Sequence, residues 1–233
     1  MGNIAVIPAR GGSKRIPRKN IKEFLGKPIL AYPIEAALKS GLFDVVMVST
    51  DDEEIAAIAR QYGAEVPFMR SEATANDYAG ICDVVKEVLL EYEKLGKHFD
   101  MAFCLYATSA LTTPEILQGM MKQMQDNPEI SNTTVMIPYN YAPLKARYFD
   151  EKGGVVLMFP EYFPVRTQDL TPCYNDGAIA FGGIADMYSG RKPWSGIGAG
   201  YVVHSMYAQD VDCQEDWEMM EFKYQYLKSK GKV

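Results

Sequence analysis

The segment IPARGGSKRIPRKN, residues 7–20, gathers Arg10, Lys14, Arg15, Arg18 and Lys19 around Gly11, Gly12 and Ser13, directly after a short apolar run from Ile4 to Ile7. Glycines let backbone N–H groups come close to an anion, lysine supplies a compact charge, and arginine offers a planar fork that grips oxyanions bidentately. Such residues in such an order do phosphate-binding chemistry. The spacing is neither G-x-x-x-x-G-K-[ST] nor G-x-G-x-x-G, so the common ATPase and dinucleotide loops are not what it spells. From Ile7 to Lys27 there are seven basic residues and one acid, a local charge of +6 in a chain of formal charge −6, which leaves −12 elsewhere. A patch set against the prevailing charge suits a small anionic ligand. A nucleic-acid binder spreads positive charge over a whole face and interleaves aromatics, and this loop has no aromatic before Phe24. The plain alternative is a solvated basic loop.

Other common chemistries find little support. Cys82, Cys104, Cys173 and Cys213 are far apart with no C-x-x-C pair, which suggests neither a disulfide framework nor a thiolate zinc site. His98 and His204 are isolated, which removes a histidine-rich metal site. No run reaches the roughly 18 to 20 apolar residues of a membrane span, and the N-terminal apolar run is too short for a signal peptide. The expectation is a soluble cytoplasmic protein, with no membrane and no nucleic acid among its partners.

The elements that must position the loop read as follows. Asn3 to Ala9 is a buried strand, and Pro28 to Ser40 has helical spacing closed by Gly41. Val45 to Ser49 is a second strand, after which Asp51 or Asp52 caps a helix over Glu53 to Tyr62. A helix over Tyr78 to Leu95, a strand over Met101 to Tyr106, a helix from Thr113–Pro114 to about Gln125 and a strand over Thr133 to Pro138 follow. This alternation predicts α/β architecture, a mainly parallel sheet flanked by helices. At 233 residues and 48% hydrophobic content, the chain suits one domain better than two. Residues 139–172 are rich in aromatics and prolines, with Gly153–Gly154 as a hairpin turn, and read as an excursion or dimer arm. Ala178 to Gly183 and Ala199 to His204 are further strands, and a last helix from Gln214 carries Trp217, Met220, Tyr224 and Leu227 along one stripe. In such sheets ligands bind beyond the carboxyl ends of the strands, where Pro8 to Asn20 lies.

The loop followed by "GKPI" resembles the signature of the cytidylyltransferases that activate nine-carbon keto sugar acids, the acylneuraminate family. "VSTDDEEIA" (48–56), "VPFMRSEATANDYA" (66–79), "APLKAR" (142–147), "VRTQDL" (165–170) and "QDVDCQEDWE" (209–218) fall in that family's order. The resemblance implies a Rossmann-like sheet, CTP and an acidic nine-carbon sugar as substrates, Mg²⁺ (or Mn²⁺) as cofactor and a homodimer. Arg10 and Lys19 would contact the CTP phosphates, with Gly11, Gly12 and Ser13 lining the loop and Asn20 and Arg70 near the cytidine. Asp210 and Asp212 match a D-x-D metal pair, and two carboxylates one residue apart at a strand end point the same way, within reach of one hard cation. Asp212–Cys213–Gln214–Glu215 also reads as a capping arrangement for the last helix. Asp210 is the candidate general base. Lys145 and Arg166 suit the sugar carboxylate, and Gln168 and Asp176 its polar substituents, while the two cations also read as surface charges and Asp176–Gly177 as a turn. "MFPEYFPVRTQDL" with "CYNDGAI" resembles the pseudaminic acid branch, although Asn175–Asp176–Gly177–Ala178 and the "YATSAL" stretch, 106–111, depart from the usual pattern. Sialic and legionaminic acids are the alternative substrates, and an anion- or nucleic-acid-binding module the non-enzymatic alternative.

Overall fold

The computed structural model describes residues 2–76, 78–194 and 196–233. In chain order the strands are β1 (Gly2–Pro8), β2 (Glu23–Phe24), β3 (Lys27–Pro28), β4 (Val45–Ser49), β5 (Phe99–Leu105), β6 (Ile130–Pro138), β7 (Arg147–Phe149), β8 (Val155–Leu157), β9 (Tyr174–Asn175), β10 (Ala180–Ile184) and β11 (Ile197–Val202). The helices are α1 (Ala31–Ser40), α2 (Glu53–Gln61), α3 (Glu72–Ala75), α4 (Ile81–Lys94), α5 (Pro114–Asp126), α6 (Ala185–Ser189) and α7 (Gln214–Ser229). The main sheet runs β11-β6-β10-β5-β1-β4, with β9 paired to β6. All its neighbours along that path are parallel except β10, which is antiparallel to both β5 and β6. The expected mainly parallel sheet flanked by helices is what forms.

Alternation along β1 explains the two cores. Ala5 and Ile7 face α1, α2 and α5, whereas Ile4 and Val6 face α4 and α6. The central strands are therefore apolar on both faces, as covered parallel strands must be. Gly182 on β10 lies against the Phe103 ring, where a Cβ would come within 2.5 Å of the ring carbons. A third core joins distant parts of the chain: Ile16, Phe24, Ile29 and Tyr32 pack with Val211, Trp217, Met220 and Leu227. Its centre is an aromatic cluster in which Phe24 meets Tyr32, Trp217 and Tyr224 edge-on at 5.2, 5.5 and 5.7 Å between centroids.

Two helices start later than expected, for local reasons. Lys27 and Pro28 pair with Glu23 and Phe24 as a hairpin, over a turn in which Leu25 and Gly26 both have positive φ, so α1 waits until Ala31. The Asn76 side chain accepts the N–H groups of Tyr78 and Ala79, an Asx turn that delays α4 to Ile81. Asp52 is the cap of α2, accepting from the N–H groups of Glu54 and Ile55. The 139–172 stretch contains the β7–β8 hairpin, a two-stranded sheet separate from the main one, with the Gly153–Gly154 turn at its tip.

Candidate active site

β1 lies between β4 and β5, and the chain reverses its direction of travel across the sheet at that point, which opens a crevice at the strand ends. The loop after β1 enters the crevice, and a cavity of about 450 Å³ forms there. Arg10, Ser13, Lys19, Asn20 and Arg70 line it together with Lys14 and Arg15. Five of the seven residues expected at a nucleotide thus share one cavity.

The basic cluster divides into two groups. Arg18 turns away from the cavity: its guanidinium pairs with Asp52 and Glu54, which holds the Asp52 carboxyl below the usual carboxylate range. Lys22 lies over the Trp217 ring and bonds Gln214, and Lys27 pairs with Glu35. These three fasten the loop to its surroundings. Arg10, Lys14, Arg15 and Lys19 remain on the cavity wall, and Arg10 reaches across to the Asn76 carbonyl at 3.3 Å. Arg18 adopts a left-handed backbone (φ 52), a strain of about 1 kcal/mol for a non-glycine residue, offset by its two acidic partners.

The glycine pair works differently from the expectation. The Gly11 N–H donates to Asp51 Oδ1 at 2.9 Å, and a Cβ on Gly11 would lie 2.8 Å from Asp52 Oδ2. Gly11 is there because the loop passes tightly over the α2 cap, and its N–H is already engaged. Gly12 is exposed with open space around it. Neither glycine lines the cavity, whereas Ser13 does.

Buried polar groups frame the opposite wall. Arg70 is 9% exposed and donates to Ser49 Oγ (3.0 Å) and the Ser49 carbonyl (2.7 Å) at the end of β4, and burial lowers its pKa from the ordinary arginine value. Asn20 is 8% exposed and donates through Nδ2 to the Arg10 carbonyl at 2.9 Å, fixing the loop against itself. Thr74, Asn76, Ala79, Ile81 and Val84 complete the wall. These went unnoticed in the sequence, although they stand within or just after the "SEATANDYA" stretch that carried part of the resemblance.

The acidic pair lies at the rim. Val211 is fully buried in the third core, with Asp210 and Asp212 on either side of it and turned outward. Lys19 Nζ donates to the Val211 carbonyl at 2.5 Å, and Arg15 pairs with Asp212 at 2.6 Å. Burial lowers the Lys19 pKa, an effect that Asp212 and Asp210 oppose. The pair is not at a strand end: β11 stops at Val202, a single helical turn over Ser205–Tyr207 follows, and the aspartates occupy the extended stretch before α7. Nor does Asp212 cap α7. Cys213 is the cap, and Asp216 closes the box by accepting the N–H groups of Asp212 (2.9 Å) and Cys213 (3.0 Å). Asp212 is thereby released from a structural duty. Two hard carboxylates flanking a fixed backbone position are a fitting donor set for a hard divalent cation.

The expected sugar residues are not gathered here. Lys145 is half-buried at the end of the Pro143–Lys145 turn. Arg166 is exposed and paired with Asp169 at 2.7 Å, and Gln168 is exposed beside it. Asp176 is exposed in the turn between β9 and β10, where Gly177 has φ 57. None lines the cavity. Tyr106, first residue of the atypical stretch, is half-buried and its hydroxyl pKa is pushed up to about 12 by burial and the nearby Cys104, Asp176 and Asp210, so it remains neutral.

Comparison with known proteins agrees with this geometry. The chain is 36% identical over 228 residues to the pseudaminic acid cytidylyltransferase of Campylobacter jejuni, covering 96% of this chain and 97% of that protein. It is 32% identical over 226 residues to the CMP-N,N'-diacetyllegionaminic acid synthase of Legionella pneumophila, covering 94% of each. Among solved structures it shares the fold of a CMP:2-keto-3-deoxy-manno-octonic acid synthetase determined with CTP, at a TM-score of 0.73 and 18% identity over 97% of this chain and 99% of that one. With residues 4–160 matching the profile of the cytidylyltransferases, this chain belongs to the cytidylyltransferase family and is a nucleotidyltransferase.

Proposed function

We propose that the protein condenses CTP with a nonulosonic acid, pseudaminic acid first among them, to give the CMP-sugar and pyrophosphate. The observation that carries this reading is the cavity at the β1 carboxyl end, walled by Arg10, Lys14, Arg15, Lys19 and Arg70, with two carboxylates tied to its rim through Lys19. Four negative charges on a triphosphate need such a wall, and few other small ligands do. Pseudaminic acid is favoured by the 36% identity to the C. jejuni enzyme, and legionaminic or sialic acid is the second reading, favoured by the 32% identity to the L. pneumophila synthase.

In this reading Arg10 and Lys19 bind the phosphates, Ser13 and the Gly11–Gly12 backbone shape the loop, and Asn20 and Arg70 border the cytidine. A hydroxyl oxygen of the sugar acid forms a bond to the α-phosphorus as the bond from that phosphorus to its bridging oxygen breaks. The electron pair leaves with pyrophosphate, and the hydroxyl proton passes to the Asp210 carboxylate. Asp210 and Asp212 would hold Mg²⁺, with Mn²⁺ able to substitute, and the bound cation would neutralise triphosphate oxygens and the leaving group. The remaining work is positioning and fixed charge. Lys145, Arg166, Gln168 and Asp176 serve the sugar, and Arg166 serves the pocket of a partner subunit, with the 139–172 excursion acting as an arm of one nucleotidyltransferase unit that pairs two copies.

Pyrophosphate release measured with CTP, UTP and ATP against a panel of nonulosonic acids tests the reading. CTP with pseudaminic acid should give the highest kcat/KM. Equal rates with UTP or ATP would overturn the nucleotide assignment, and a preference for legionaminic or sialic acid would move the protein to the second reading.

A further inference from the structure

α7 buries Trp217, Met220 and Leu227 in the third core, which accounts for one face of the helix. On the opposite face Met219, Phe222 and Tyr226 recur at helical spacing and are 48%, 61% and 47% exposed. Three large apolar side chains in one stripe on a surface helix are unfavourable in water unless something covers them. The stripe lies between an acid and a base. Glu215 in the first turn and Lys230 just past the last turn share its face, both are exposed, and among the described residues neither belongs to an ion pair. Charges of these signs at these ends suit the helix dipole, but the dipole gives no reason for the apolar stripe between them.

A second copy of α7, lying antiparallel, matches the whole pattern in one register. The pairs Met219–Tyr226 and Glu215–Lys230 are centred on the same point of the helix, between Phe222 and Lys223. Setting Met219 against Tyr226 of the second copy therefore sets Glu215 against its Lys230, and twofold symmetry repeats both pairs. Phe222 falls beside the axis, against Phe222 of the second copy. Lys223 is also near the axis, but its ammonium is taken by the carbonyls of Ser205 (3.1 Å) and Ala208 (2.6 Å), so like charges do not meet there. An unrelated partner would have no use for acid, apolar centre and base balanced about one point. We propose that the outer face of α7 is an isologous contact through which two copies of the chain associate, separate from the β7–β8 arm. A stripe on one 16-residue helix falls short of the roughly 1,200 Å² of a stable interface, so this contact is weak and forms at higher concentration than the arm's.

Sedimentation equilibrium, carried from micromolar to millimolar protein, tests this on wild type, Phe222→Glu, Glu215→Lys, Lys230→Glu and the double charge reversal, all at exposed positions. The wild-type mass should rise with concentration to twice its micromolar value, and Phe222→Glu should abolish the rise. Each single reversal sets like charges together at two symmetry-related places and should weaken the association about fivefold. The double reversal should restore it. Both reversals are unfavourable to the helix dipole, so a firmer α7 cannot produce that restoration. Phe149→Glu, which lies on the arm, should leave the rise in place, and this separates the two contacts. A wild-type mass that stays flat assigns the stripe to another occupant and overturns the proposal. So does a rise that survives Phe222→Glu, or a double reversal no better than the single ones.

Discussion

Arg10 and Lys19 on one side and Arg18 on the other share a loop and a charge but not a task. Arg10→Ala and Lys19→Ala should each lower kcat/KM for CTP by about 10² while leaving the melting temperature close to wild type, because what they lose is paired phosphate charge. Arg18→Ala should do the reverse, lowering thermal stability with a smaller effect on CTP turnover, since its partners are Asp52 and Glu54. Thermal melts and steady-state kinetics on the three variants separate the two groups. That the loop after β1 forms a basic cavity wall was legible in the sequence, because a cluster of basic residues set against the prevailing charge directly follows the first strand. Its division was not, because Arg18's partners lie 34 and 36 residues further along the chain.

At the element scale, the starts of α2 and α7 hold the loops that matter. Asp216→Ala removes the acceptor for two backbone N–H groups and should cost about 1 kcal/mol in urea unfolding. Asp212→Asn should leave that stability unchanged while weakening metal-dependent CTP binding. The sequence holds two overlapping capping patterns, Asp212 with Glu215 and Cys213 with Asp216, and residue preference alone favours the first. The structure uses the second, because Val211 is buried and the turn that follows sends the N–H groups of both 212 and 213 to Asp216. At α2, hydrogen bonding from Arg18 is the first cause of the lowered Asp52 pKa. A carboxyl lowered in the folded state stabilises fully above its unfolded value, about pH 4, and loses that contribution as pH falls through its native value. Wild type should therefore be more stable than Asp52→Asn in urea at about pH 6, and the difference should disappear in acid below the native pKa. Asn still caps the helix, so the comparison isolates the charge.

Across the whole molecule, the sheet was the most legible feature, since alternating buried strands and amphipathic helices leave few other architectures. The antiparallel strands, β9 and β10, were hidden because their direction depends on the excursion before them. That excursion exposes Phe149 (76%), Val155 (63%) and Phe163 (60%), an apolar surface unusual for a short hairpin and its flanking turns standing apart from the main sheet. Homodimerisation through it is the expected outcome, read as twice the monomer mass by light scattering at micromolar concentration. Phe149→Glu should shift the mass toward the monomer and lower turnover together, because Arg166 would lose the neighbour that the proposed function has it serve. A monomeric wild type with full activity would require the sugar site to be complete within one chain.

The Lys19 contact to the Val211 carbonyl spans 192 positions, and Lys22 reaches Gln214 across the same separation. Synthesis proceeds from the amino end, so the basic loop after β1 leaves the ribosome long before its acidic counterpart exists. The early βαβ units can collapse on their own local contacts, yet the third core lacks Val211 and Trp217 until the final helix emerges. A nascent chain can therefore be compact and still incompetent, its positive loop tied to Asp52, Glu54 and Glu35 but lacking its contacts to Val211 and Gln214. Its third core closes only once residues 211–227 fold back onto the loop after β1.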